Sequence, residues 1–367
     1  MNSLDEKRPL LIYDGTLGDL YGIFLRNLLL QIVTLGIYRF WATTNNRRYV
    51  WSHMRFQDER FEYTGTGGEL FKGFLFAIVV VFGAAFVTGA LTVILRMATK
   101  SAALGALPVI ALYLLIVVLA AGAFFGAQRY RLSRTQWCGI RGGMTGSAFG
   151  YGVRALLYLL ACVVTLGQMR PWASMRLTER RINASSFGSL AFHFKGRARA
   201  VYGLFLLTFL GVVVLLAVLF MVFLKDALAS MHVGHVAGAG TVPSWAALGS
   251  LFLFYALFCI GTMLIRSFYV VALTRHVMSN TSLGSQLRFG SSVSVVRLLG
   301  LQCGNLAIIV FTLGLGAPIV LHRLMCFAAD TLQVSGYLDP HMLGQSTVAA
   351  PLTGEGMLNL LDHGGAF

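Results

Sequence analysis

The sequence has few charged residues, and this shortage excludes more than any motif does. Asp, Glu, Lys and Arg together make up 12% of the 367 residues, which is about half the share found in soluble domains. Hydrophobic residues make up 57% of the chain, and the mean hydropathy is +0.73. A soluble or disordered chain needs more polar residues than this. The composition therefore predicts a polytopic membrane protein.

Cysteines and catalytic motifs are scarce as well. The five cysteines form no Cys-x-x-Cys pair, so we predict no disulfide scaffold, no redox centre and no metal site. There is no P-loop, no HExxH and no GxSxG motif, and the four long apolar segments contain no Asp or Glu. We expect no cofactor and no catalytic residue, and we predict that the protein is not an enzyme.

The charge that is present is mainly positive. The chain has 29 Lys and Arg against 14 Asp and Glu, for a formal net charge of +15. These basic residues cluster between apolar segments, a pattern that the positive-inside rule explains without a nucleic-acid partner. Aromatic residues are interleaved with the basic ones, so the predicted partners of these linkers are membrane lipids with anionic headgroups.

Seven apolar segments are candidates for the membrane. Four are free of charge and exceed the ~20 residues needed to cross a bilayer. Three others contain polar residues, and each includes the tripeptide Thr-Leu-Gly. Most lysines and arginines fall on one side of the membrane only if the first two of these Thr-Leu-Gly segments enter the membrane and return to the same face. We therefore predict four spans (73–95, 102–127, 201–224, 245–265) and two re-entrant or interfacial elements (20–38, 154–169), and leave the third, 298–321, undecided.

The Thr-Leu-Gly elements belong to an internal repeat. Aligning Thr34 with Thr165 also pairs Arg39 with Arg170 and Trp41 with Trp172. The linkers repeat too: an Arg, a Ser four residues later and a large apolar residue four after that precede short alternating segments, which predict small β-hairpins. The expected fold is all-α, an internally duplicated helical bundle with small cytoplasmic β-hairpin linkers. Its predicted parts are an N-terminal segment (1–19), two membrane repeats (20–146 and 147–292), a partial third repeat (293–337) and a poorly ordered C-terminal tail (338–367).

Three arginines are the leading candidate site residues. Arg26, Arg154 and Arg297 precede the Thr of their elements by 8, 11 and 15 residues, so they could share one helical face at different depths. Arginine in hydrocarbon is costly and often functional, although the more ordinary explanation is that each arginine snorkels to the cytoplasmic headgroups near the end of its element. Neighbouring polar residues could supply hydrogen bonds to a ligand: Asn27, Gln31, Gln302 and Asn305.

Several of these motifs carry a family resemblance. Residues 27–41, Asn-Leu-Leu-Leu-Gln-Ile-Val-Thr-Leu-Gly-Ile-Tyr-Arg-Phe-Trp, and residues 61–65, Phe-Glu-Tyr-Thr-Gly, resemble the bacterial inner-membrane family typified by YjgN. Residues 275–283 and 336–339 resemble the C-terminal half of the same family. The second Thr-Leu-Gly unit departs from the pattern because it lacks the Asn and the Tyr after Gly167. The resemblance implies a multi-pass protein of the bacterial inner membrane and supplies no catalytic or ligand-binding residue.

Two functions lead at this point, and an enzyme acting on lipid is a third that the carboxylate-free apolar segments disfavour. The first is passive transport or permeation of a small anion or lipid along a path lined by the three arginines. The alternative is a non-catalytic membrane scaffold or stress-related protein that binds anionic lipid or a partner through its basic linkers. Glycines spaced four apart, Gly122 with Gly126 and Gly300 with Gly304, predict close helix packing either within the chain or in a homo-oligomer.

Overall fold

A computed structural model describes residues 11–237 and 245–348 of the chain. In these residues, pairs of helices alternate with pairs of short strands. Three helical pairs are short, with helices of 14 to 17 residues, and two are long, with helices of 33 to 39 residues. The elements are β1 (Leu11–Tyr13), α1 (Leu17–Val33), α2 (Arg39–Ser52), β2 (Met54–Phe56), β3 (Glu59–Tyr63), α3 (Gly67–Thr99), α4 (Ala102–Arg134), β4 (Thr135–Trp137), β5 (Ile140–Met144), α5 (Ala148–Val164), α6 (Arg170–Ala184), β6 (Ser185–Phe187), β7 (Leu190–Phe194), α7 (Arg199–Ala237), α8 (Trp245–Ser279), β8 (Thr281–Leu283), β9 (Leu287–Ser291), α9 (Val295–Phe311), α10 (Ala317–Thr331) and β10 (Leu332–Gly336).

The repeating unit is strand, helix, helix, strand, and it occurs five times in the part of the chain that the structure describes. In each unit the two strands pair antiparallel. The last residue of the first strand pairs with the first residue of the second strand, and this closing pair lies where the helices leave the sheet. The helical hairpin of every unit therefore leaves the sheet and returns to it at the same end. The closing pairs are Tyr13 with Met54, Tyr63 with Thr135, Met144 with Ser185, Phe194 with Thr281, and Ser291 with Leu332.

The strands form one ten-stranded antiparallel sheet, and the all-α prediction was wrong. Strand order in the sheet follows strand order in the chain, and β1 lies next to β10, so the sheet is nearly closed into a barrel. The predicted β-hairpins exist as β2–β3, β4–β5, β6–β7 and β8–β9. Strands of three to five residues carry too little alternation to show from sequence that they pair with one another.

The interior of the barrel is filled with apolar side chains. All ten strands contribute to one cluster, whose buried members include Phe56, Trp137 and Leu283. These three residues are the large apolar positions of the repeated linker motif, so the repeat encodes the barrel core. A packed interior of this kind excludes water from the barrel axis.

The start of the C-terminal tail closes the end of the barrel opposite the helices. Leu338 and Leu343 are buried in the barrel cluster. The side-chain amide of Gln57 pairs with the backbone of Leu338, that of Gln345 donates to the Gly139 carbonyl at 2.9 Å, and Ser189 Oγ accepts from the Gly344 amide at 3.2 Å. The prediction of a poorly ordered tail was therefore wrong for residues 338–348. Residues 349–367 lie outside the described part of the chain.

The two long hairpins supply the four predicted membrane spans. Within the described residues, four helices are long and apolar enough to cross a bilayer: Gly67–Thr99, Ala102–Arg134, Arg199–Leu224 and Leu248–Ser279. Their apolar side chains are largely exposed in the protein, as expected for helices whose solvent is lipid.

All three Thr-Leu-Gly elements turn back toward the sheet, including the third, which the sequence left undecided. The Leu and Gly of each turn have positive φ, near 50° at Leu35, Leu166 and Leu313 and near 87° at the following glycines. Two consecutive left-handed residues end the first helix and reverse the chain. In each turn the Thr hydroxyl donates to the carbonyl four residues earlier and accepts the amide four residues later.

This geometry predicts a specific role for the Thr hydroxyl. Thr312 Oγ1 lies 2.6 Å from the Ile308 carbonyl and 2.8 Å from the Gly316 amide. Thr312→Val keeps the shape but leaves the Gly316 amide without its partner, so we expect a loss of about 1–2 kcal/mol in the free energy of unfolding. Thr312→Ser keeps the hydroxyl and serves as the control. Chemical denaturation in detergent measures both, and equal stability of the Val variant and the wild type would contradict this role.

The five helical hairpins form a ring above the sheet, and each packs against the sheet-proximal end of the next. Trp41 of α2 contacts Gly67 at the start of α3, and the Ala148 carbonyl at the start of α5 lies 2.9 Å from the point where a Cβ on Gly122 of α4 would stand. The ring closes where His322 Nε2 of α10 lies 3.1 Å from the Gly15 carbonyl. At Gly122 the small-residue spacing thus serves packing within the chain; whether the protein forms a homo-oligomer stays a prediction.

Candidate functional site

Each short hairpin has an open groove between its two helices, on the half nearest the sheet. We call these groove A (α1 and α2), groove B (α5 and α6) and groove C (α9 and α10). Their volumes are about 740, 690 and 930 Å³. One of the predicted arginines lines each groove: Arg26 in A, Arg154 in B and Arg297 in C. The three arginines therefore do not converge on one path.

The grooves are equivalent places in the internal repeat. Counted from the Thr of each turn, five positions line all three grooves, one from the first helix and four from the second. A groove that recurs at the same five positions in three separate hairpins is a property of the repeated unit. The positions are Ile23, Arg154 and Leu301; Asn45, Arg176 and Arg323; Arg48, Glu179 and Cys326; Tyr49, Arg180 and Phe327; and Ser52, Asn183 and Asp330.

Every groove has arginines on both of its helices and one carboxylate on its lining. The second-helix arginines were missed from the sequence, although the register that aligns the Thr-Leu-Gly turns places Arg176 and Arg323 at one position. Cations that face each other across a groove attract an anionic group between them. The charged lining is Arg26, Arg48 and Glu62 in A; Arg154, Arg176, Arg180 and Glu179 in B; and Arg297, Arg323 and Asp330 in C.

The three predicted arginines are exposed and weakly engaged. Among the described residues, the side chains of Arg26 and Arg297 have no hydrogen-bond or ion-pair partner, and Arg154 donates only to the Gly150 carbonyl of its own helix, at 3.1 Å. The guanidinium groups of these three residues therefore keep most of their hydrogen-bond donors unused within the described residues.

The polar residues that were predicted to assist the arginines mostly form hydrogen bonds between helices of the protein or lie outside the grooves. Asn27 is buried, and it joins α1 to α2 through Asn45 and Asn46 at 3.2 and 3.4 Å. Gln302 joins α9 to α8 by accepting from Ser267 at 3.0 Å. Gln31 lies outside groove A, and the side-chain oxygen of Asn305 is buried without a hydrogen-bond partner in the described residues.

Groove C also contains a cysteine beside a histidine. Cys326 Sγ lies 3.7 Å from His322 Nδ1. Burial, and secondarily the nearby Asp330 carboxylate, raise the pKa of the Cys326 thiol. A nucleophilic cysteine needs the opposite shift because the thiolate is the reactive form. This pair therefore has the electrostatics of an inert thiol.

The three arginines lie close to the level at which the hydrocarbon begins. In the long helix α3 the charge-free stretch starts at Gly73, seven residues after the N-cap Thr66. Counted from the equivalent N-caps Thr16, Ser147 and Ser294, the arginines are 10, 7 and 3 residues along their helices. At 1.5 Å per residue they fall within about 6 Å of that level, where we expect the lipid headgroups to lie.

Fold and site together define a class: a multi-pass membrane protein with two spanning hairpins and three short ones on a barrel-like sheet. No solved structure matches the chain. A family model described as "Bacterial protein of unknown function (DUF898)" matches residues 9–360, and the chain belongs to this family.

Curated relatives agree with this assignment. The chain is 25% identical to the inner membrane protein YjgN of Salmonella typhimurium, over 92% of this chain and 91% of that protein. It is 23% identical to inner membrane protein YjgN of Escherichia coli O157:H7, over 92% of both chains. A segment of 82 residues is 35% identical to the YjgN of Escherichia coli K12 and covers 22% of this chain and 21% of that protein. The predicted family and the predicted multi-pass location in the bacterial inner membrane are thus confirmed.

Proposed function

We propose that the protein is a non-catalytic membrane scaffold that binds anionic phospholipid headgroups in grooves A, B and C. The observation that carries this proposal is the recurrence of one groove at five equivalent positions, each time with arginines on both helices. A phosphate group between two arginines receives charge-assisted hydrogen bonds from both sides. The apolar half of each hairpin, beyond the groove, offers a surface for the acyl chains of the same lipid.

Passive transport of a small anion, the first function that the sequence predicts, has less support. A permeation path would bring the three arginines to one cavity, whereas each lies in its own groove. The barrel axis offers no substitute, because its interior is packed with apolar side chains from all ten strands. The Cys326 thiol with its raised pKa likewise gives no support to catalysis.

Lipid titration of the purified protein in neutral detergent tests the proposal. We expect phosphatidylglycerol to bind at three sites per chain and phosphatidylcholine to bind at none of them, as counted by native mass spectrometry. The triple variant Arg26→Gln, Arg154→Gln, Arg297→Gln should weaken each site about fivefold, since one arginine near the headgroups contributes about 1 kcal/mol.

A matched triple variant separates the grooves from the general positive charge. Arg197→Gln, Arg199→Gln and Arg288→Gln remove the same charge at exposed positions outside the grooves, and we expect them to leave the three affinities unchanged. Unchanged binding in the groove variant, or an equal loss in the control, would overturn the proposal.

A further inference from the structure

The amount of protein differs between the two halves of the membrane region. The helices of the short hairpins extend from the sheet end to the Thr-Leu-Gly turns, and those of the long hairpins continue beyond them. In the described residues, ten helices surround the axis near the sheet and four remain beyond the turns. The six that end early belong to three hairpins distributed around the ring, so no single side accounts for the difference.

The short hairpins end at the middle of the hydrocarbon. Each Thr-Leu-Gly turn begins 18 residues after the N-cap of its first helix. The charge-free stretch of α3, residues 73–95, runs from 7 to 29 residues after its own N-cap Thr66. Position 18 is the midpoint of that stretch. Since all the hairpins leave the same end of the sheet and lean on one another, the turns reach about the bilayer midplane.

The tips of the short hairpins are suited to hydrocarbon. Leu35, Leu166 and Leu313 are 95%, 82% and 92% exposed at the turns. They occupy left-handed positions that favour Gly or Asn in water. Their neighbours at the tips are also exposed and apolar: Ile32, Val33, Ile37, Val163, Val164, Val310, Phe311 and Leu315. An exposed apolar patch at this depth is covered by acyl chains.

From these observations we propose that the protein is a membrane wedge, which expands the leaflet on the sheet side and generates or favours curvature with that leaflet convex. Six extra helices of 10–12 Å diameter add about 500–700 Å² to one leaflet alone. The bilayer relieves this area difference by bending away from the narrow side. The inference rests on the lengths of the helices and the apolar tips, and it does not require that the grooves bind anionic lipid.

Sorting between vesicles of different size tests the wedge. Fluorescently tagged protein is inserted into preformed phosphatidylcholine vesicles, so that the polar sheet stays outside and no anionic lipid is present. We expect the protein density per membrane area to be about twofold or more higher on vesicles of ~50 nm than on those of ~400 nm diameter, because insertion into one leaflet is sensitive to curvature. Equal density on both sizes would overturn the proposal.

A tip variant links the effect to the short hairpins. Leu35→Asp, Leu166→Asp and Leu313→Asp place charges at exposed sites without disturbing the packing, and Asp tolerates the left-handed conformation. Charged tips should leave the hydrocarbon and abolish the preference for small vesicles, whereas the control Leu→Met at the same three sites should retain it. Full sorting by the Asp variant would contradict the wedge. Failure of the phosphatidylglycerol titration would leave this result untouched, so the two proposals fail separately.

Discussion

Replacing Trp137 with alanine is expected to lower the free energy of unfolding by about 3–5 kcal/mol. Trp137 is 2% exposed at the centre of the barrel, where its ring meets Phe56 edge-on at 5.4 Å and lies 6.4 Å from Phe187. Its Nε1 donates to the Phe56 carbonyl at 3.1 Å. The substitution leaves a cavity among side chains from several strands and removes the partner of a buried carbonyl. Chemical denaturation of the purified protein in detergent measures the loss.

An exposed tryptophan provides the control for this experiment. Trp245 at the start of α8 is 89% exposed, so Trp245→Ala removes the same ring without opening a cavity, and we expect a change below about 0.5 kcal/mol. If the two variants had similar stabilities, the barrel interior could not be the packed core described above.

Replacing Glu69 with alanine is expected to cost about 2–4 kcal/mol, because one carboxylate serves three partners. Glu69 forms a capping box with Thr66 at the start of α3. The same carboxylate accepts from the buried hydroxyl of Tyr130 at 2.6 Å and pairs with Arg134, both on α4. It therefore joins the two helices of the first long hairpin where they leave the sheet. Removal leaves the Tyr130 hydroxyl without an acceptor in a buried position.

Two variants divide this effect into its parts. Asp19 holds the same N3 position in α1, and among the described residues its side chain bonds only to its own cap Thr16, at 2.7 Å. Asp19→Ala should therefore cost only the cap, about 1 kcal/mol. Glu69→Gln keeps an acceptor for Tyr130 but loses the charge, and its stability should lie between that of the wild type and that of the Ala variant. Thermal unfolding in detergent ranks the three variants, and equal losses for Asp19→Ala and Glu69→Ala would show that the link to α4 contributes nothing.

The membrane elements could be predicted because the bilayer imposes a simple rule on sequence. A long charge-free segment has to be a helix, since no water is present to satisfy an open backbone, and the four spans follow from this rule alone. The re-entrant elements followed from charge counting and from the repeated linkers. The tripeptide Thr-Leu-Gly, which first occurs at Thr34, Leu35 and Gly36, recurs because the turn needs a hydroxyl and two left-handed residues.

The sequence singled out three arginines, but it did not predict how the structure arranges them. Arg26, Arg154 and Arg297 stood out because charge in hydrocarbon is costly. Sequence spacing places a residue on a helix face; it does not tell whether three helices of one chain bring their faces together. The ring of hairpins keeps the three arginines apart. The sequence predicted one path lined by all three, whereas the structure places each in its own groove.

The sequence by itself determined the membrane location, the family, the four spans and the repeat, because each depends on local composition or on a register held along the chain. The tertiary structure alone decided that ten strands of three to five residues form one nearly closed sheet. Pairing of short strands depends on backbone hydrogen bonds between distant segments, and the order of side chains in such short strands does not predict these bonds. It also decided that residues 338–348 close the barrel, since the apolar surface that holds Leu338 and Leu343 exists only after the strands have assembled.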